Sequence, residues 1–215
     1  MFLFVSTTFI QSQENLLKNA GFENTDLKFF TFNGATNCPD KVTGWDLSDK
    51  PYTPDDYNNI GLNKYVIRGM IEKHNPERND NKQYLRIQQY EWFGDSKHGG
   101  KENAIAEGGI QQTVKVKPST TYTLTFMYRL SKHVEKDRIV PAYYSIQEDD
   151  KAPEKKLFYN ELDENWYEGK KTFTTSPTAK QVRVRFYISA TRIYNWGGNR
   201  LQWADFDDVK LVEAK

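Results

Sequence analysis

At 215 residues the chain suits one large domain, because all-β sandwiches often run past the usual single-domain length. Lys plus Arg number 30 against 29 for Asp plus Glu, so no overall field draws the chain towards nucleic acid or an anionic membrane. The one cysteine, Cys38, rules out an intrachain disulfide, and with three scattered histidines the Cys/His spacing of a zinc site is missing too. In chain order, Met1 to Ile10 (MFLFVSTTFI) is an apolar run too short to span a bilayer and long enough for the hydrophobic part of an export signal. Residues 1–13 are therefore expected to be a signal-peptide remnant, and 14–215 a single β-sandwich domain that is secreted, periplasmic or at the cell surface. The rival reading makes the run a first strand.

Asp26 to Asn63, rich in Pro, Asn and Asp, is the most irregular stretch. Beyond it, two-residue alternation replaces any helical spacing. Strands are predicted at Tyr65 to Ile71, Gln83 to Tyr90, Ile110 to Lys117, Thr121 to Leu130, Val140 to Gln147, Trp166 to Thr174, Val182 to Ile188 and Leu201 to Glu213. In the clearest of them Tyr122, Leu124, Phe126, Tyr128 and Leu130 alternate with Thr121, Thr123, Thr125, Met127 and Arg129, after a turn at Pro118-Ser119. The mixed charges of Glu148 to Glu154 and Asn75 to Lys82 read as solvated loops. The fold class this implies is all-β: an antiparallel β-sandwich of two sheets.

Four segments carry a family likeness: Asn15 to Glu23 (NLLKNAGFE), Gly44-Trp45, Ile110 to Leu130 (IQQTVKVKPSTTYTLTFMYRL) and Phe206 to Leu211 (FDDVKL). In that order they resemble carbohydrate-binding modules of the family 4, 9, 16 and 22 type, with a galactose-binding-like jelly roll. The chain departs from them by its long stretches Asp26 to Asn63 and His133 to Leu162. The resemblance implies that the first and last strands pair, bringing Glu23 near Asp207 or Asp208. Adjacent carboxylates repel unless a cation sits between them, and hard oxygen donors suit Ca²⁺, so a structural calcium held by Glu23, Asp207 and Asp208 is expected. The alternative is that these acids cap strand ends or pair with Lys18 and Lys210.

A sugar offers hydroxyls and one apolar C–H face, so its site needs an aromatic plane and planar donors and acceptors. With Leu85 and Ile87 turned to the core, Tyr84, Arg86, Gln88 and Tyr90 share the other face, followed by Trp92 in a Gly-rich loop. A second candidate is Tyr194 to Arg200 (YNWGGNR), with Trp196 as the stacking plane, Arg200 beside it, and Arg183, Arg185 and Tyr187 extending the surface. One of Gln111 and Gln112 is expected to face the groove. Trp45, Trp166 and Trp203 are read as core.

No nucleophile elbow, phosphate-cradling loop or metal-hydrolase His pair is present, so no catalytic residue is assigned. The function expected is non-catalytic binding of an oligo- or polysaccharide by a monomer that neither enters a membrane nor binds nucleic acid. Two alternatives stay open. One is a polysaccharide-degrading lyase or glycosidase using carboxylates such as Glu91, Asp95, Glu102 and Glu107; the other is an adhesion scaffold without a sugar ligand.

Overall fold

A computed structural model describes residues 13–23, 30–31, 42–49, 66–73, 83–90, 105–130, 142–157, 165–191 and 202–214. The export-signal expectation for Met1 to Ile10 lies outside them. The described residues form eleven strands: β1 (Phe30–Thr31), β2 (Asp46–Asp49), β3 (Val66–Lys73), β4 (Gln83–Tyr90), β5 (Ile105–Lys115), β6 (Thr121–Leu130), β7 (Ala142–Glu148), β8 (Glu154–Leu157), β9 (Tyr167–Thr174), β10 (Gln181–Thr191) and β11 (Gln202–Glu213). They make two antiparallel sheets, one of six strands in the order β1-β3-β4-β11-β6-β9 and one of five in the order β2-β5-β10-β7-β8. The all-β sandwich expected from alternation is the fold. No strand was predicted at β8, whose first residue, Glu154, ends the expected solvated loop; its Glu-Lys-Lys run sits on the sheet edge, where charge discourages pairing with another chain.

The core lies between the sheets and is filled by the even residues of β6 and β10 and the odd residues of β4. Tyr122, Leu124, Phe126 and Leu130 face Val182, Val184, Phe186 and Ile188, with Leu85 and Ile87 beside them. Three phenylalanines lock the layers together, since Phe186 of β10 stands 5.0 Å from both Phe126 of β6 and Phe206 of β11. Trp45 is in this core against Phe22 and Phe186, as the sequence led us to expect. Burying one such side chain contributes roughly 1.5–3 kcal/mol, so a few rings hold much of the sandwich.

The segment 13–23 closes one end. Leu16 N–H bonds the Leu211 carbonyl, Val209 N–H bonds the Ala20 carbonyl, and the Asn15 side chain bonds both Val209 O and Leu211 N–H. The chain start thus lies along the second half of β11, where the pairing of β11 with β4 has ended at Phe206. The left-handed backbone here falls on Asn19 (φ 45°) and Phe22 (φ 58°) and not on Gly21. Such a φ is costly for Phe; full burial of its ring and the Phe22 N–H bond to Asn19 O hold it there. A bulge follows in β11, with the register shifting between Asp207 and Lys210 and Asp208 at φ 48°.

Candidate functional site

Each sheet has an outer face, and both carry arginines among aromatic rings. On the six-stranded sheet, Leu85 and Ile87 are fully buried in the core, so Tyr84 and Arg86 turn outward as expected. Register then places Arg86 of β4, Asp205 of β11 and Arg129 of β6 in one row across three neighbouring strands. Arg86 donates from Nε to Asp205 Oδ1 (2.7 Å) and from Nη2 to Oδ2 (3.0 Å). Arg129 donates to Oδ2 from Nε (3.0 Å) and Nη2 (2.6 Å).

Aromatic rings wall this ion cluster. The Arg86 guanidinium lies 4.2 Å from the Trp203 ring, that of Arg129 lies 4.9 Å from Trp166 and 5.2 Å from Trp203, and Tyr84 packs edge-on against Trp166. Tyr84 also accepts a bond from Arg86 Nη2 at 3.2 Å. Asp205 is fully buried, and burial pushes its carboxyl up from the ordinary range, against the pull of Arg86 and Arg129. Trp166 and Trp203 were expected in the core; both are half-buried on the outer face. The reason is alternation in β11: with Ala204 and Phe206 facing inward, Trp203 and Asp205 must face outward.

The outer face of the five-stranded sheet is built in three rows. Gly109, Tyr187 and Tyr143 form the first, Gln111, Arg185 and Ser145 the second, and Thr113, Arg183 and Gln147 the third. Tyr143 and Tyr187 stack with centroids 5.1 Å apart and planes 15° apart, and the Arg185 guanidinium lies 4.0 Å from the Tyr187 ring. Arg183 donates from Nη1 to Gln147 Oε1 at 3.3 Å and from Nε to Thr113 Oγ1 at 3.4 Å. Gly109 leaves the space Tyr187 needs, because a Cβ there would stand 2.4 Å from the tyrosine's own Cβ. This face therefore grades from stacked rings to amides and hydroxyls, the combination a saccharide requires.

The residues singled out from sequence do not make one surface. Tyr84 and Arg86 lie on the six-stranded sheet and Arg185 on the five-stranded one, so the sandwich separates them. Tyr84 is buried and Arg86 is bound to Asp205, which makes this row a closed ion network and not the open polar strip expected. Gln88 and Tyr90 belong to β4, with only their backbone described. Trp92, Trp196 and Arg200 lie outside the described residues. Gln112 turns inward and ties down the chain start, its Oε1 accepting from Lys18 N–H and its Nε2 donating to Lys18 O; Gln111 holds the outward position. Arg129, Asp205, Tyr143 and Gln147 were missed. The alternation of QWADF and AYYSIQ marks their sides, but nothing local marks their partners.

Glu23 and Asp207 both lie beside Gly21. Asp207 Oδ1 and Glu23 Cγ each lie 3.8 Å from the point a Cβ on Gly21 would occupy. Glu23 accepts from Gln83 N–H at 3.2 Å, and Asp207 Oδ1 accepts from Asp208 N–H at 2.7 Å. Gln83 buries its side-chain Oε1 without a hydrogen-bond partner. Asp207 is buried, and an unpartnered buried amide oxygen such as Gln83 Oε1 is the kind of donor a hard cation satisfies. No group of three or more His, Cys, Asp or Glu side chains gathers among the described residues.

Residues 95–192 match the family model described as a carbohydrate binding domain, spanning families 4 and 9. The resemblance read from the sequence is met by this match. The matched segment includes β5, β7, β8 and β10, four of the five strands of the five-stranded sheet. Among solved structures, the chain is similar to a family 61 module, TmCBM61 in complex with beta-1,4-galactotriose, with 14% identity over 94% of this chain and 99% of that one (TM-score 0.50). It is also similar to the enzymatically active domain of tailspike protein 4 of bacteriophage CBA120, with 11% identity over 93% of this chain (TM-score 0.54). The chain spans 21% of that tailspike structure. At such identities both likenesses show the sandwich fold. No curated protein matches the chain.

Proposed function

We propose that the protein binds an oligosaccharide without transforming it, on the outer face of the five-stranded sheet. The observation that carries this reading is the carbohydrate-binding family match, which supplies most of the sheet bearing the Tyr143–Tyr187 stack and Arg185. A sugar's C–H face would lie against Tyr143, the half-buried ring of a stack whose other ring, Tyr187, is buried, while Arg183, Arg185, Gln111 and Gln147 bond its hydroxyls. Arg183 bonds neutral partners and Arg185 lies over a ring, an arrangement for holding hydroxyls, whereas glycoside cleavage needs two opposed carboxyl groups. The galactotriose bound by the family 61 neighbour makes a neutral β-linked oligosaccharide the first ligand to try. In calorimetry with β-1,4-galactotriose and a panel of neutral glycans, Tyr143→Ala should weaken the tightest ligand about tenfold, a loss of roughly 1.4 kcal/mol. Its melting temperature should stay within a few degrees of the parent. Undiminished affinity in that variant, or turnover of the glycan, would overturn the assignment.

We also read Glu23 and Asp207, with the Gln83 carbonyl and the adjacent Asp208, as the holders of a structural Ca²⁺ that ties the chain start to β11, in a protein made for a calcium-rich space outside the cell. When bound, the ion supplies charge compensation for carboxylates that would otherwise repel. EDTA should then lower the melting temperature and added Ca²⁺ restore it, since an ion held only by the folded chain stabilises by mass action. Identical melting curves with and without EDTA would remove the ion.

A further inference from the structure

On the outer face of the five-stranded sheet, Arg183 is a half-buried guanidinium whose described partners are neutral. It donates from Nη1 to Gln147 Oε1 at 3.3 Å and from Nε to Thr113 Oγ1 at 3.4 Å, both longer than the usual range for such bonds. Among the described residues no carboxylate pairs with it and no acceptor meets its Nη2. Arg86 and Arg129, by contrast, share the Asp205 carboxylate. A partly desolvated charge is costly without a counter-ion, so Arg183 is set to receive one from outside the chain.

Neighbouring cations strengthen the pull. Lys115 projects outward from β5, opposite Gln181 and one row from Arg183, and Lys155 projects outward from β8, opposite Ser145. Both are exposed, and among the described residues neither has an ion-pair partner. At ordinary strand spacings the Lys115 backbone stands about 8 Å from that of Arg183, and the Lys155 backbone about 8 Å from that of Tyr143. Asp149, just past β7, has its carboxylate bound to the Lys180 and Gln181 N–H groups, and Asp46 stands at the sheet edge in β2. With 30 basic and 29 acidic residues the chain as a whole is close to neutral, so this grouping of cations is local to the face.

We propose that the glycan of this face is acidic: a chain of uronate units running along the strands, with one sugar against Tyr143 and the carboxylate of another on Arg183. Lys155 and Lys115 add attraction near its two ends. A planar guanidinium meets a carboxylate through paired N–H donors, so the acid replaces the long bonds to Gln147 and Thr113 and leaves those side chains to its hydroxyls. This reading depends on the face being a glycan site and adds the chemical class of the sugar.

The test is calorimetry on the full chain with tetragalacturonate, its fully methyl-esterified form and β-1,4-galactotriose. The acid should bind at least about tenfold more tightly than the ester, and its affinity should fall as salt rises. Arg183→Gln should weaken the acid about tenfold and the ester by much less, and Lys115→Gln and Lys155→Gln should each weaken the acid about twofold to threefold. Lys170→Gln, which removes an exposed cation from the other sheet, should leave it unchanged. Melting temperatures within a few degrees of the parent show that each variant is folded. Equal affinity for acid and ester overturns the proposal, as does a loss in Lys170→Gln equal to that in Arg183→Gln. Binding of galactotriose or the ester that depends on Tyr143, with no preference for the acid, overturns the acidic class alone. Silence towards every glycan, neutral or acidic, overturns the glycan reading with it.

Discussion

The two outer faces use the same materials for opposite ends. On the six-stranded sheet Arg86 and Arg129 meet a buried carboxylate, and four charge-assisted hydrogen bonds close the row. On the five-stranded sheet Arg183 meets Gln147 and Thr113, and Arg185 lies over Tyr187. An arginine beside an aromatic ring is therefore not a site by itself; what decides is the charge opposite it. A buried carboxylate turns the pair into structure, while neutral partners leave the guanidinium able to exchange bonds with hydroxyls.

The largest effect should come from breaking the closed row. Asp205→Asn removes the charge between two guanidiniums and should cost about 3–5 kcal/mol in denaturant unfolding, whereas Arg183→Ala on the other face should cost under about 1 kcal/mol. Similar costs for both would erase the distinction between the faces. A smaller effect sharpens it at the sheet end. Hydrogen bonds from Lys151 and Ser176 hold the Glu148 carboxyl down at about 2 against an ordinary 4.5. A carboxyl whose value is lowered on folding stabilises at pH above its unfolded value and loses that contribution as pH falls through the folded one. The melting-temperature gap between the parent and Glu148→Gln should therefore be steady above about pH 5 and narrow between about pH 4.5 and pH 2. Because Glu148 lies near the surface the gap should be small, and a gap that widens on acidification would contradict the assignment.

Much of the fold could be read in advance, and the reason is specific. In Thr121 to Leu130 and Val182 to Ile188 the alternation of large apolar and polar residues states both that a strand exists and which side is buried, and the core contains the expected set. The same rule oriented Leu85 and Ile87 correctly. It failed where size was taken for burial: Trp166 and Trp203 cover guanidiniums on the outside, which a tryptophan can do because its ring face attracts a cation. The candidate site was legible only in pieces. Arg185 was identified, yet knowing that it lies on a different sheet from Arg86 needed a sheet assignment that no stretch of the chain contains.

What the sequence by itself determined is each strand's two sides, because side-chain direction alternates with every residue and needs no neighbour to do so. What only the tertiary structure decided is which strands lie together. Asp205 is 119 positions from Arg86 and 76 from Arg129, and they meet because β11 inserts between β4 and β6. Sheet order is set by the packing of whole layers, so the partner of a buried charge, and with it the division between structural and ligand-binding arginines, is a property of the assembled sandwich.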